Sequence, residues 1–178
     1  DRLRAVAEDF IKHYETRVAE GATVAGKAMF VCSNRNIAYD FYKIVKELRP
    51  KWTEKKICDD GVVLSEKDKK ELKPMEKIKL VMTRNKDDEK DLFDMLGTKE
   101  DRKEFDRQFK NPKSNFKIAI VVDMWLTGFD VPELDTIYID KPIQQHTLIQ
   151  TISRVNRVCE GKDKGLIVDY IGIKKNMN

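Results

Sequence analysis

Histidine and cysteine are scarce in this chain of 178 residues, and their scarcity removes several chemistries at once. The two histidines, His13 and His146, stand far apart with no second ligand nearby, so no metal site is expected. Cys32, Cys58 and Cys159 form neither a C-x-x-C pair nor a disulfide framework, which fits a reducing, cytoplasmic setting. No apolar run approaches the roughly 18 residues that span a bilayer, and the N-terminus lacks the basic, apolar, small-residue order of a signal peptide. A G-x-x-x-x-G-K-[ST] phosphate loop is absent, and no Asp-Glu pair closes a buried strand to hold Mg²⁺; Asp59-Asp60 and Asp87-Asp88 sit in polar surroundings and read as loop charges. The chain alone should therefore neither bind ATP tightly nor hydrolyse it. A strand-embedded acidic and lysine set of the nuclease kind is missing too.

What is present is enough for one globular domain: 40% hydrophobic residues, arranged in periodic runs, against 37% charged residues that describe a solvated surface. Lys+Arg 35 against Asp+Glu 31 leaves a net charge of +4, compatible with a polyanionic partner but shared by many proteins without one. Asp1 leads straight into helical periodicity, so the chain reads as a piece of a longer protein.

Leu3, Val6, Ala7, Phe10, Ile11 and Tyr14 recur at helical spacing and predict an amphipathic helix over about 2–20, ending before Gly21. The uninterrupted apolar run 28–32 then predicts a strand buried on both faces of a parallel sheet. Ser33 or Asn34 caps a following helix with an inward face of Ile37, Ala38, Phe41, Ile44, Val45 and Leu48, stopped by Pro50. Further strands are expected at 78–82, 118–122, 136–139 and 166–168, with helical patterns over 99–109 and 144–157. Strands alternating with helices imply crossover units, hence an α/β fold with a mostly parallel sheet between two helical layers. The charged stretches 54–77 and 84–104 read as surface insertions or mobile loops, with a DNA-contacting arm the less favoured alternative.

Chemistry concentrates in 118–157. There a buried strand ends at Asp123, a turn carries Thr127, Gly128, Asp130 and Pro132, and a helix bears Gln150, Ser153, Arg154 and Arg157. In open α/β sheets ligands bind beyond the carboxyl ends of the strands, where both the turn and the start of that helix would lie. Gly128 permits a conformation closed to residues with a Cβ, and Thr127 offers a hydroxyl and an amide to a phosphate oxygen. A tight turn and nothing more is the alternative for this Gly-Phe-Asp-Val-Pro run. Arg154 and Arg157, three apart, share a helix face and can reach one anion, although a solvated face is the ordinary fate of such a pair. Trp52 and Trp125 are candidates for stacking on bases, Trp125 more readily for the core.

Q-T-I-S-R-V-N-R at 150–157 resembles motif VI of superfamily 2 helicases, L-T-G-F-D-V-P at 126–132 resembles motif V, and F-V-C-S-N-R-N-I-A at 30–38 resembles motif IV. With Y-I-D-K-P and V-D-Y-I-G between and after them, the order looks like the R subunit of type I restriction enzymes over about 27–172. The resemblance implies a RecA-like second motor domain (21–173) entered through a linking helix (1–20), with 174–178 opening a following segment. It makes Arg154 and Arg157 arginine fingers to ATP, worth about 10³–10⁵ in rate, and Gln150, Gly128 and Asp130 nucleotide contacts. Thr127, Ser33, Asn34 and Arg35 become contacts to double-stranded DNA, although helix capping explains 33–35 equally well. ATP with Mg²⁺ would be held mainly by an N-terminal RecA-like domain of the parent chain. Modification and specificity subunits would be the other partners, and the parent an ATP-dependent endonuclease. The rival readings are a non-catalytic DNA-binding scaffold and the C-terminal half of another DNA or RNA helicase.

Overall fold

In the computed structural model the described residues are 1–125, 131, 133–142 and 165–171. They form a five-stranded sheet of order β2-β3-β1-β4-β5, every neighbouring pair parallel. The strands are β1 (Lys27–Cys32), β2 (Ile78–Leu80), β3 (Ile118–Val121), β4 (Leu134–Asp140) and β5 (Leu166–Asp169). All residues of β1, β2, β3 and β4 are buried, as a strand covered by helices on both faces requires.

The first helix, α1 (Arg2–Ala19), buries the five positions its periodicity nominates, Val6, Ala7, Phe10, Ile11 and Tyr14. Helix α2 (Arg35–Leu48) buries Ala38, Phe41, Tyr42 and Val45, while Ile37, Ile44 and Leu48 pack partly exposed at its margin. Asn34 starts it, its side-chain oxygen accepting from Ile37 N at 2.9 Å, and Pro50 opens a short 3₁₀ turn after it. Phe10 is the centre of this layer: its ring meets Phe30 and Tyr138 edge-on, with centroids 5.2 and 4.8 Å away. Phe30 in turn stacks on Phe41 at 3.9 Å. Such contacts add about 0.5–1.5 kcal/mol each to the area that the rings bury.

The charged middle holds more regular structure than loops would. Ser65 and Asp68 form a reciprocal capping box on α3 (Glu66–Glu71), and Thr98 and Asp101 form another on α5 (Lys99–Lys110). Between them α4 (Lys90–Leu96) buries Leu92 and Leu96, four apart on one face. Stretch 54–77 is tied back by a bridge between Lys56 and Met75, although Val62 and Val63 remain exposed. The polar composition hid these elements because the capping boxes are themselves built from charged and hydroxyl residues. Helix α5 covers the second face of the sheet: Phe109 lies against Phe116 at 4.9 Å, in a cluster with Met29, Ala119 and Ile137. The result is a three-layer α/β domain. The helix expected over 144–157 lies outside the described residues, as do His146 and Cys159.

Candidate functional site

Strand register decides which loops meet. Val31 of β1 pairs with Val121 of β3, and Cys32 pairs with Asp140 of β4, so the chain leaves all three strands side by side at the carboxyl edge. The segment after β1 is Ser33-Asn34-Arg35, that after β3 leads into 126–130, and that after β4 leads into 143–157. Topology thus sets side by side the strand ends from which these three segments start. Thr127, Gly128, Asp130, Gln150, Arg154 and Arg157 themselves lie outside the described residues.

The three described candidates have protein partners. Ser33 Oγ donates to the Asp140 carbonyl at 2.9 Å, stitching the ends of β1 and β4, and Asn34 caps α2. Arg35 reaches across to the 83–88 turn, where Nη1 donates to Thr83 O at 2.6 Å and Nη2 to both Asp88 carboxylate oxygens at 2.7 and 2.8 Å. Burial opposes ionisation of Asp88, but the Asn85 amide and the Arg35 guanidinium outweigh it and hold its carboxyl below the usual range. A cavity of about 200 Å³ opens beside this pair, lined by Arg35, Met82, Thr83, Val122, Asp123 and Met124 among others.

Two further charge pairs order the edge, and sequence reasoning passed over both. Lys141 Nζ donates to the Val122 carbonyl at 3.0 Å and pairs with the Asp123 carboxylate, joining the roots of the segments after β3 and β4. Arg2 grips Asp140 and also donates to the Tyr170 carbonyl at 3.2 Å, so α1, β4 and the end of β5 share one guanidinium. The signal was the Asp-Lys-Pro at the end of β4, which gives two opposite charges where a buried strand stops.

Trp125, directly before 126–130, has φ 68°, the one positive value outside glycine among the described residues. That region costs a residue with a Cβ about 1–2 kcal/mol, and such outliers gather at functional turns. Its half-buried ring stacks on Phe109 at 5.4 Å, which puts it against the core. Trp52 is buried against Phe10 and Tyr14 and is not available to a base.

Among the described residues the edge offers cations, Arg2, Arg35 and Lys141, each already paired with a carboxylate. Among the same residues, no group of three or more His, Cys, Asp or Glu is placed to hold a metal, and no helix is long and apolar enough to cross a membrane.

The architecture has solved counterparts. The structure of a fragment assigned as an HsdR subunit of a type I restriction enzyme from Vibrio vulnificus YJ016 is similar with a TM-score of 0.56 at 15% identity, covering 99% of this chain and 29% of that one. Domain 2 of the DEAD-box helicase Mss116p, bound to an RNA duplex, is similar with a TM-score of 0.53 at 16% identity, covering 94% and 48%. The fold is therefore that of a RecA-like helicase domain. The family model for type I restriction enzyme subunit R domain 3 matches residues 24–172. The endonuclease subunit of the type I restriction enzyme HindI from Haemophilus influenzae is 38% identical over 180 residues, covering 99% of this chain and 15% of that protein. A type I restriction enzyme endonuclease subunit from Staphylococcus aureus strain COL is 48% identical over 77 residues, covering 40% and 8%. The chain belongs to the type I restriction enzyme R subunit family, as its helicase-like domain 3, and spans about one seventh of the length of its full-coverage relative from Haemophilus.

Proposed function

We propose that this domain is the second motor half of an ATP-driven translocase of duplex DNA, within the restriction subunit of a type I restriction-modification system. The observation that carries the proposal is that β1, β3 and β4 end side by side at one edge. That edge is where an opposing RecA-like domain of the parent chain would present ATP and Mg²⁺. In this reading Arg154 and Arg157 reach the transferring phosphoryl group, whose charge their planar, permanently ionised guanidinium groups stabilise. Gln150, Gly128 and Asp130 contact the nucleotide, and Thr127 with Ser33, Asn34 and Arg35 faces the DNA backbone. The Lys141–Asp123 pair and the Ser33–Asp140 bond keep the three segments in register, so that a change at one is felt at the others. Modification and specificity subunits complete the assembly, and the setting is the cytoplasm.

The test is DNA-stimulated ATP hydrolysis by the full-length parent, wild type against Arg154→Ala and Arg157→Ala, with DNA binding measured in parallel. A loss of hydrolysis of at least about a hundredfold with binding retained is the expected result, since such fingers are worth about 10³–10⁵ in rate. Unchanged hydrolysis in both variants would overturn the finger assignment and favour a DNA-binding scaffold.

A further inference from the structure

At the opposite, amino-terminal edge of the sheet, register assembles a row that no stretch of sequence displays. Ile78 of β2 and Ala28 of β1 both pair with Ile118 of β3. The residues just before them, Lys77, Lys117 and Lys27, are therefore neighbours across three adjacent strands. The backbone confirms the row: Lys117 O accepts from Ala28 N, and Lys77 O accepts from Lys117 N, each at 2.9 Å.

The three amino groups are unequally provided for. Lys27 is fully buried and donates to Phe116 O at 2.5 Å, with the Phe109 ring 5.3 Å away. Lys117 is 6% exposed, yet its contacts are long, 3.4 Å to Pro112 O and 3.6 Å to the Asp59 carboxylate. Lys77 is half-buried over the faces of Trp52 and Tyr14, 5.1 and 5.5 Å from the ring centres. Among the described residues no carboxylate or carbonyl accepts from its ammonium. Burial lowers the proton affinity of both Lys77 and Lys117, partly offset by Asp59.

Both amino groups line a cavity of about 450 Å³, together with Thr23, Gly26 and Asp59. Asp59 is the one carboxylate on its wall, and its side chain is 58% exposed, 3.6 Å from Lys117 Nζ rather than fixed between the lysines. The cavity wall thus carries two partly desolvated ammonium groups against one carboxylate, with Glu15 the further negative charge acting on Lys77, and leaves spare hydrogen-bond donors in the recess. Charge-assisted bonds to an oxyanion would use those donors.

We propose that this cavity binds a phosphate group, held between Lys77 and Lys117, with Asp59 as the internal competitor it displaces. A phosphate has enough acceptor oxygens, spread tetrahedrally, to take bonds from both amino groups and from the Thr23 hydroxyl at once, and it carries more negative charge than a carboxylate. Gly26 leaves the wall open: a Cβ there would lie 3.1 Å from Tyr14 Oη, which itself donates to the Gly26 carbonyl. The site is separate from the motor edge, so it stands whether or not the arginine-finger reading does.

The test is a titration of this 178-residue chain with inorganic phosphate at constant ionic strength, followed by amide chemical shifts, with chloride as control. Saturable shifts at Gly26 and Lys117 that chloride does not produce are expected. Lys77→Gln should weaken binding by about tenfold or more, and Asp59→Asn, at an exposed position that leaves the fold alone, should tighten it. A second arm uses a short DNA duplex: the same shifts, with the same sensitivity to Lys77→Gln, make the phosphate that of a nucleic-acid backbone, and their absence makes it free phosphate. Shifts that fail to saturate, that chloride reproduces, or that neither variant alters overturn the site.

Discussion

Arg2, the first residue of the first helix, closes on Asp140, the last residue of β4, with Nη1 donating to Oδ2 at 3.0 Å. Asp140 is 3% exposed and Arg2 24%, so the guanidinium is the charge partner of a carboxylate that water hardly reaches. The contact joins residues 138 apart in sequence and fixes α1 against the edge where the candidate segments emerge.

Removing the guanidinium leaves a buried carboxylate uncompensated. Arg2→Ala should therefore cost about 2–3 kcal/mol, below the 3–5 kcal/mol of a fully buried pair because Arg2 is partly solvated. Asp140→Asn, which keeps an acceptor and removes the charge, should cost less. Urea denaturation of the two variants and the double variant measures both costs and their coupling.

Gly97 ends α4 with φ 72° and ψ −173°, a region essentially reserved for glycine. A Cβ built there would stand 2.7 Å from Asp101 Oδ2, in the capping box that starts α5. Gly97→Ala should destabilise the domain by about 2–3 kcal/mol. A smaller loss than Thr98→Ala in the same melting series would mean that the turn relaxes freely.

His13 Nδ1 lies 2.6 Å from the Tyr138 hydroxyl, with burial, then the nearby Arg17, holding the imidazole below its usual proton affinity. The folded state therefore binds a proton less readily than the unfolded one. Stability is full above the ordinary histidine range near 6.5 and declines as pH falls through and below it. His13→Gln should flatten the difference in melting temperature between pH 7.5 and pH 5.5, and an undiminished difference would shift the effect to other groups.

Arg35 and Asp88 supply a test of the DNA reading. With the carboxylate in place, the guanidinium is shared between Asp88 and Thr83 O. Asp88→Asn should tighten duplex binding and steepen its salt dependence by about one phosphate contact, while Arg35→Ala should weaken binding. Filter binding across a salt series reads both, and insensitivity in both variants would remove Arg35 from the interface.

The sequence made α1, β1 and α2 legible because Phe10, Phe30 and Phe41 sit in strong, uninterrupted periodic patterns with Asn34 and Pro50 as punctuation. It hid α3 and α4 because their signals, Ser65 with Asp68 and the Leu92–Leu96 pair, are brief and embedded in charge. Strand β2 was expected to run to 82 but stops at Leu80; Val81 still donates to Ile120 O, and the ladder ends there. The motif residues of 126–130 and 150–157 were nominated by pattern and lie outside the described residues; topology shows only that the strands preceding them end side by side. Arg2–Asp140 and the lysine row were invisible in the sequence, since both exist only through register and packing between distant segments.

The strand order has a consequence for the birth of the domain. β1 sits in the middle of the sheet, yet its neighbours are β3 and β4: Ala28 lies beside Ile118, and Cys32 beside Asp140. A nascent chain emerging from the ribosome therefore exposes this central strand long before either flank has been synthesised. Contacts this distant in sequence must overcome loop-closure entropy before they reward it. Until Ile118 emerges, Phe10 of α1 and Phe41 of α2 can already cover one face of Phe30, but a strand edge left bare for that interval is where chaperone protection would matter most.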